Sequence, residues 1–471
     1  MTQVPRVVIA APHSGSGKTT VATGLMAALA ARGHRVSGHK VGPDYIDPGY
    51  HALATGRHPR NLDPVLCGPE RVAPLFRHGA HGADVAVIEG VMGLFDGAAQ
   101  PDVPFDGPGD FASTAHVATL VGAPVILVVD AARSSRSIAA LIHGFRSFDP
   151  RVRIAGIILN QVGSQRHEEL LRAAVAETGL PVLGVLRRNA EVSTPSRHLG
   201  LIPATERGTE AGAAVAALGA TVDAACDLAQ IHDIARTAEP LSCEPWNPET
   251  ELALPQTHPR VRIAMAGGAA FTFSYREQVE LLEAGGAEVV PVDPLQAPRL
   301  PGETAALIIG GGFPEEHASD LSANQPLREA VAKLTERGAP VVAECAGLLY
   351  LCRSLDGLPM AGVLPARAEM TPRLTLGYRS AVAVRDSVLG PAGTRVHGHE
   401  FHRTATTPPS GPDRGANGRL GAAWQWNSDG PEGFANARLH ASYLHVHWAG
   451  APELARRFLA ATAQHYMGRA A

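Results

Sequence analysis

The sequence predicts an α/β protein of two lobes, each built on a mostly parallel sheet, joined by a proline-rich connector. Three observations predict it. Short β-rich apolar runs alternate with helix-length amphipathic stretches, the rhythm of parallel strands covered by helices on both faces. That rhythm fades after about Asp233 and restarts at Val261. Between them stand Pro240, Pro245, Pro248, Pro255 and Pro259. Each proline removes a backbone donor and fixes φ, which disfavours a continuous helix or a central strand.

Taken in order, 6–11, 83–88, 125–129, 154–159 and 181–186 read as strands, with helices over 19–32, 137–145 and 168–178. Beyond the connector, 261–266, 288–292, 305–309 and 341–344 read as strands and 275–284 as a helix. The stretch 406–418, rich in Pro, Gly and Ser, reads as a surface loop. The expected division is 1–235 for the first lobe, 236–260 for the linker and 261–471 for the second.

Charged residues are 18% of the 471, below the usual ~25%, which argues against long disordered or coiled-coil segments. Lys plus Arg number 41 against 45 Asp plus Glu, and the net charge of −4 gives no electrostatic case for nucleic acid. No apolar run approaches the roughly 20 residues of a spanning helix. Met1 leads almost directly into a strand pattern, without a signal-peptide layout. The five cysteines, Cys67, Cys226, Cys243, Cys345 and Cys352, show neither pairing nor metal-ligand spacing. A cytoplasmic, reducing setting is expected, with no nucleic-acid or membrane partner.

The strongest motif is Ser14-Gly15-Ser16-Gly17-Lys18-Thr19-Thr20, which follows a strand and opens a helix. Gly15 and Gly17 let backbone N–H groups approach phosphate oxygens, and the dipole of the following helix favours the anion. Lys18 would reach the β- and γ-phosphates, and the Thr19 hydroxyl would ligate Mg²⁺. The usual phosphate-loop pattern has glycine five positions before Gly17, where this chain has Pro12. The bland alternative is a Gly-Ser turn with an incidental lysine. Strand before, helix after and Gly-Lys-Thr at the junction weigh against it.

Mg²⁺ needs further hard oxygen ligands. Glu89 closes its strand ahead of the turn 90–97, and Asp44 lies in Lys40-Val41-Gly42-Pro43-Asp44-Tyr45-Ile46-Asp47. Either acid alone would read as a solvated or capping carboxylate, but both follow strands expected beside the phosphate-loop strand. Asn160, at the end of its strand, can read a base edge or serve as a turn residue.

In the second lobe, Cys345 ends the strand 341–344 and is followed by Ala346-Gly347 and then an apolar run. A nucleophile on a tight strand-to-helix turn stands exposed, and the new helix can lower a thiol's pKa. Gly310-Gly311-Gly312-Phe313-Pro314 follows another strand, which makes the N–H groups of Gly311, Gly312 and Ala346 candidate oxyanion donors. Tyr443-Leu444-His445-Val446-His447-Trp448 supplies two histidines as bases, on one face if the run is a strand. An inert buried thiol is the usual fate of a lone cysteine. Cys352, read as mid-helix, has that fate; the elbow sets Cys345 apart. His397-Gly398-His399-Glu400-Phe401-His402 is one residue short of the His-Glu-x-x-His zinc pattern and reads as a polar, substrate-facing strand.

These segments, in this order along nearly the whole chain, resemble the cobyrinate or hydrogenobyrinate a,c-diamide synthases of cobalamin biosynthesis. The run 89–97 discriminates best, since the sister cobyric acid synthases differ after the equivalent glutamate. The resemblance implies a dethiobiotin-synthetase-like P-loop domain followed by a class I glutamine amidotransferase-like domain. It implies Cys345 as glutaminase nucleophile and His445 as its base. Gly15 to Thr20 would handle ATP, Thr19, Asp44 and Glu89 would lie near Mg²⁺, and Asn160 near the adenine. Tyr45, Asp96, Tyr378, Arg379, His399, Glu400 and His402 are candidate contacts to a corrin-type tetrapyrrole polycarboxylate, and the family leaves room for a homodimer. Class I glutaminases usually place a glutamate two residues after the histidine; here that residue is His447.

The two halves make chemical sense together. ATP would convert a carboxylate to an acyl phosphate, with Mg²⁺ and Lys18 neutralising charge. Cys345 would attack the glutamine side-chain carbonyl, releasing ammonia and leaving a thioester for water to cleave. The alternatives are a related tetrapyrrole amidase (cobyric acid synthase or the sirohydrochlorin-type diamide synthase) and, from another class, a P-loop partition-type switch ATPase. The switch ATPase would not need the elbow cysteine.

Overall fold

The computed structural model describes residues 3–98, 110–188, 209–253, 260–412, 419–426 and 430–470. Its main division into two compact units falls between Trp246 and Asn247.

The first unit is built on seven strands: β1 (Arg6–Ala10), β2 (Val36–Val41), β3 (Arg60–Leu62), β4 (Val85–Glu89), β5 (Val125–Asp130), β6 (Ile154–Val162) and β7 (Val182–Arg187). They lie in the order β3-β2-β4-β1-β5-β6-β7, and every neighbouring pair is parallel. Buried on both faces, β1, β4 and β5 read as continuous apolar runs, which is why the sequence revealed them. Strand β2, Val-Ser-Gly-His-Lys-Val, is just as buried but was concealed by its polar residues. Ser37 satisfies its hydroxyl on Gly79 O and His39, at 3.1 and 3.0 Å, and Lys40 pairs with buried acids.

The helix Lys18–Ala31 follows β1 and is buried along most of its length. It packs closely on the helix Thr209–Ala225 through glycines. A Cβ at Gly24 would meet Leu218 O at 2.9 Å, and one at Gly219 would meet the Ala27 Cβ at 2.9 Å. Ligands in such sheets bind beyond the carboxyl ends of the strands. Register sets Lys40 of β2 beside Glu89 of β4, and Glu89 beside Ile9 of β1.

Among the described residues of the expected linker lies a short helix, Pro248–Leu252. Asn247 starts it, accepting the N–H groups of Glu249 and Thr250 at 2.8 and 3.0 Å, with Pro248 in the first turn where no donor is needed. Pro255 and Pro259 lie outside the described residues.

The second unit holds two sheets. In one, β8 (Arg262–Ala266), β9 (Glu288–Val292), β10 (Thr304–Ile309), β11 (Val341–Glu344) and β18 (Leu439–Ser442) are parallel, with β17 (Phe434–Ala435) antiparallel at the edge. The other contains β12 (Ser354–Leu355), β13 (Leu358–Pro359), the long hairpin β14 (Arg367–Ala383) and β15 (Arg395–Thr407), β16 (Trp424–Gln425) and β19 (His445–Val446). The polar strand expected over 397–402 lies within β15; its partner β14 was not read from the sequence, because Pro372 interrupts the pattern. The register shifts between Met370 and Thr375, and a bulge of that kind tolerates proline. Strand β15 runs to Thr407, so the loop expected over 406–418 begins two residues later, and 413–418 lie outside the described residues.

The run 443–448 is not one strand. The chain leaves β18 at Ser442 and joins the other sheet as the two-residue β19, where His445 pairs with His399. Glu432 holds this crossing, accepting the Ser442 hydroxyl at 2.6 Å and the Tyr443 N–H at 2.7 Å.

Candidate active sites

In the first unit, Gly15 and Gly17 adopt φ of +81° and +96°, the left-handed region that glycine occupies without strain. A Cβ on Gly17 would also meet Asn160 Nδ2 at 2.2 Å. Asn160 donates to Ser16 O at 2.9 Å and accepts the Gln161 N–H, so its amide props the loop from β6. Ser16 is buried with its hydroxyl on His13 O, and Thr20 is half-buried in the first helical turn.

Lys18 donates to Met92 O at 2.5 Å. Burial, and then the neighbouring Lys40, bring its ammonium down to about 8 against the pull of Glu89, Asp47 and Asp96. Thr19 donates to Glu89 Oε1 at 2.5 Å and approaches Asp47 Oδ2 at 3.3 Å. Lys40 binds Asp47 Oδ2 at 2.6 Å and Glu89 Oε1 at 2.9 Å, while His51 Nε2 lies 2.6 Å from Glu89 Oε2. Burial opposes the Glu89 charge, but Lys40, His51 and Thr19 outweigh it and hold the carboxyl well below the usual range.

Of the two loop acids, Asp47 reaches Thr19; Asp44 caps the turn. Asp44 Oδ1 accepts the N–H groups of Ile46 and Asp47 at 2.8 and 3.0 Å, and its Oδ2 is 3.9 Å from Lys40. Sequence reasoning missed Lys40, Asp47 and His51. Asp47 stood inside the quoted run, three residues from an aspartate that the motif made more conspicuous. Asp47 Oδ1 is buried without a hydrogen-bond partner. Burial, then Asp44 and Glu89, push its carboxyl well up. A hard-oxygen set with an unpartnered buried carboxylate oxygen fits a divalent cation such as Mg²⁺. Tyr45 is half-buried in the Asp44 turn, and exposed Asp96 accepts the Gly93 N–H at 2.8 Å, shaping the loop after β4.

In the second unit, Cys345 sits at φ 48° and ψ −101°, an unusual backbone for a non-glycine residue, directly before the helix Ala346–Leu351. It is a strand-to-helix elbow. Its N–H donates to Ser442 O at 2.7 Å, and its Sγ lies 3.7 Å from Phe401 O. The thiol lines a cavity with Gly312, Phe313, Glu315, Phe401 and His402. Burial, then the Glu315 carboxylate, push the thiol far above its ordinary value, outweighing the Ala346 N–H that favours thiolate. His445 is fully buried, and burial with His399 and His402 brings its imidazole down to about 3. Its ring faces Gly311, where a Cβ would meet His445 Cε1 at 2.3 Å. Cys352 follows its helix instead of lying within it, and burial raises its thiol to about 12.

One expectation needs correction. Gly311 is not a free oxyanion donor: its N–H binds Phe273 O at 3.1 Å in an isolated bridge. Gly312 and Ala346 remain. Arg379 Nε binds Glu400 Oε2 at 2.6 Å in a mostly buried ion pair, and its Nη1 binds Tyr378 O at 2.9 Å. The hairpin gathers these residues on the cysteine side: Tyr378 pairs with His399, Gly377 with Glu400, and the His402 ring stacks on Tyr443 at 3.8 Å.

A nucleotide-binding α/β domain, followed in the chain by an amidotransferase-type domain with a cysteine elbow, is the class this fold and these sites define. Residues 7–202 match the CobQ/CobB/MinD/ParA nucleotide binding domain, and residues 262–453 match the CobB/CobQ-like glutamine amidotransferase domain. The chain is 60% identical to the hydrogenobyrinate a,c-diamide synthase of Streptomyces coelicolor, over 97% of each chain. It is 51% identical to the enzyme of the same name from Thermobifida fusca, over 97% of each, and 43% identical to the cobyrinate a,c-diamide synthase of Gloeobacter violaceus, over 96% of each. The chain belongs to this a,c-diamide synthase family.

Proposed function

We propose that this chain amidates the a and c acetate carboxylates of hydrogenobyrinate, consuming ATP and glutamine. The observation that carries the reading is the full-length similarity at 60% identity to a relative so named, and hydrogenobyrinate is preferred to cobyrinate because the relatives named for it are the more similar. On this reading residues 1–235 activate the carboxylate, 236–260 connect, and 261–471 release ammonia. A cytoplasmic setting suits soluble ATP and glutamine; among the described residues no helix is long and apolar enough to cross a membrane.

In the mechanism, N–H groups from Gly15 to Thr20 cradle the polyphosphate and Lys18 balances charge on the transferring phosphoryl group. Mg²⁺, held by Thr19, Glu89 and a loop acid (Asp44, or Asp47 as the geometry favours), would supply further charge neutralisation. The substrate carboxylate takes the γ-phosphoryl group to become an acyl phosphate, which ammonia converts to the amide. Cys345 gives its proton to His445 and attacks the glutamine side-chain carbonyl, with Gly312 and Ala346 donating to the oxyanion. Glu315, His402 and Arg403 form the polar wall of the glutamine pocket.

Mass spectrometry tests the substrate. Incubation of hydrogenobyrinate with the chain, MgATP and glutamine is expected to give two successive replacements of hydroxyl by amine. Faster conversion of cobyrinate would reverse the preference between the two, and no mass change on either would remove the corrin assignment.

A further inference from the structure

We propose that Glu344, the residue immediately before the thiol, is the positioning carboxylate of His445. The inference rests on Cys345 and His445 being the glutaminase pair.

A glutaminase histidine needs a partner on the nitrogen that faces away from the thiol, and the expected position, two residues on, holds His447. That residue is itself buried and engaged: its Nε2 lies 3.6 Å from Glu277 Oε2 and its ring 4.1 Å from that of Tyr275. Glu344 instead brings Oε2 to 3.9 Å from His445 Nδ1, with the carboxylate side chain 13% exposed and the imidazole fully buried. The topology produces this approach. Strand β11 ends at Glu344 opposite Ser442 of β18, and the chain crossing from β18 to β19 returns His445 three residues later beside the end of β11. The Val446 N–H and the Trp448 indole lie on the same carboxyl's side and favour its ionised form. One residue pair, Glu344-Cys345, therefore supplies both orienter and nucleophile.

The two ring nitrogens have different tasks. A carboxylate at Nδ1 keeps the proton there and leaves the Nε2 lone pair as base. The thiol proton then passes to Nε2, sulfur keeps its electron pair and attacks the glutamine carbonyl, and the imidazolium stands against Glu344. The 3.9 Å separation is longer than a hydrogen bond, as catalytic contacts often are before ligands bind. Burial raises the Glu344 carboxyl to about 8, so part of it is ionised near neutrality, and that ionised form is the one that holds the Nδ1 proton and then faces the imidazolium.

The test compares Glu344→Gln, Glu344→Asp and Cys345→Ala in the full chain, with MgATP and hydrogenobyrinate, supplying nitrogen as glutamine or as ammonium chloride. Glu344→Gln is expected to lower kcat with glutamine about 100-fold, to leave KM for glutamine within about twofold, and to spare the ammonia-driven reaction; Glu344→Asp should restore part of the loss. A merely structural role would lower both reactions together. Either that joint loss or a glutamine-driven kcat within about threefold of the parent would overturn the proposal. Glutamine-driven turnover surviving in Cys345→Ala would instead remove the thiol reading, and the inference with it. Loss there, with Glu344→Gln intact, would remove Glu344 alone.

Discussion

The two sites manage charge in opposite ways. Around Thr19 an ion pair is in place before any ligand arrives: Lys40 lies 2.9 Å from Glu89, both nearly excluded from solvent. Around Cys345 burial holds the thiol protonated, His445 neutral and Glu344 raised to about 8. A polyphosphate brings its own charge and is best met by a preformed, oriented one. A standing thiolate would hydrolyse glutamine with no acceptor present. The comparison teaches that one chain can keep a charged site ready and a nucleophilic site silent by the same means, burial, with partners supplied in one case and withheld in the other.

The largest expected effect breaks the second site alone. Cys345→Ala should lower glutamine-driven amidation by at least about 10³-fold, as removal of a nucleophile does, while ammonium-driven amidation continues. Product appearance with each nitrogen source checks it; equal loss of both would show that the cysteine serves the fold. The next separates the two kinds of burial by stability. Lys40→Met leaves Glu89 and Asp47 buried without their cation and should cost about 3–5 kcal/mol. Glu344→Gln, replacing a carboxyl that burial keeps largely neutral at pH 7, should leave Tm within about 2 °C, no more than the shift of ~1 kcal/mol in a domain this size. Thermal unfolding of both variants decides, and similar losses would erase the contrast.

How far the sequence was legible follows the same division. Strands β1, β4 and β5 were readable because parallel strands buried on both faces are uniformly apolar, and the phosphate loop because its glycines stand where backbone must approach the ligand. Strand β2 escaped because buried ion pairs let Lys40 lie in a core position. The cysteine elbow was visible from Glu344-Cys345-Ala346-Gly347, but Glu344 as neighbour of His445 depends on where β18 crosses to β19, which no local pattern encodes. Asp47 was overlooked for Asp44 because the geometry of the turn, and not residue type, decides which carboxylate reaches Thr19. The engaged N–H of Gly311 likewise depends on Phe273, 38 positions earlier in the chain.

The smallest expected effect sharpens the charged half of the comparison. Lys18 is a cation of the phosphate site whose charge is precarious: burial and Lys40 bring its ammonium down to about 8. A cation is present below its pKa and lost above it, so raising the pH from 7 to 9 should take free Lys18 from mostly charged to mostly neutral. Bound phosphate favours the charged form, so the loss appears in binding. KM for ATP should therefore rise up to about tenfold over that interval, with kcat at saturating ATP changing less. Lys18→Arg, whose guanidinium stays charged throughout, should flatten the dependence even if its absolute KM is higher. A parent KM that is flat from pH 7 to 9 would mean that Asp96, Asp47 and Glu89 hold Lys18 fully charged, and that the phosphate site is preformed in every one of its ions.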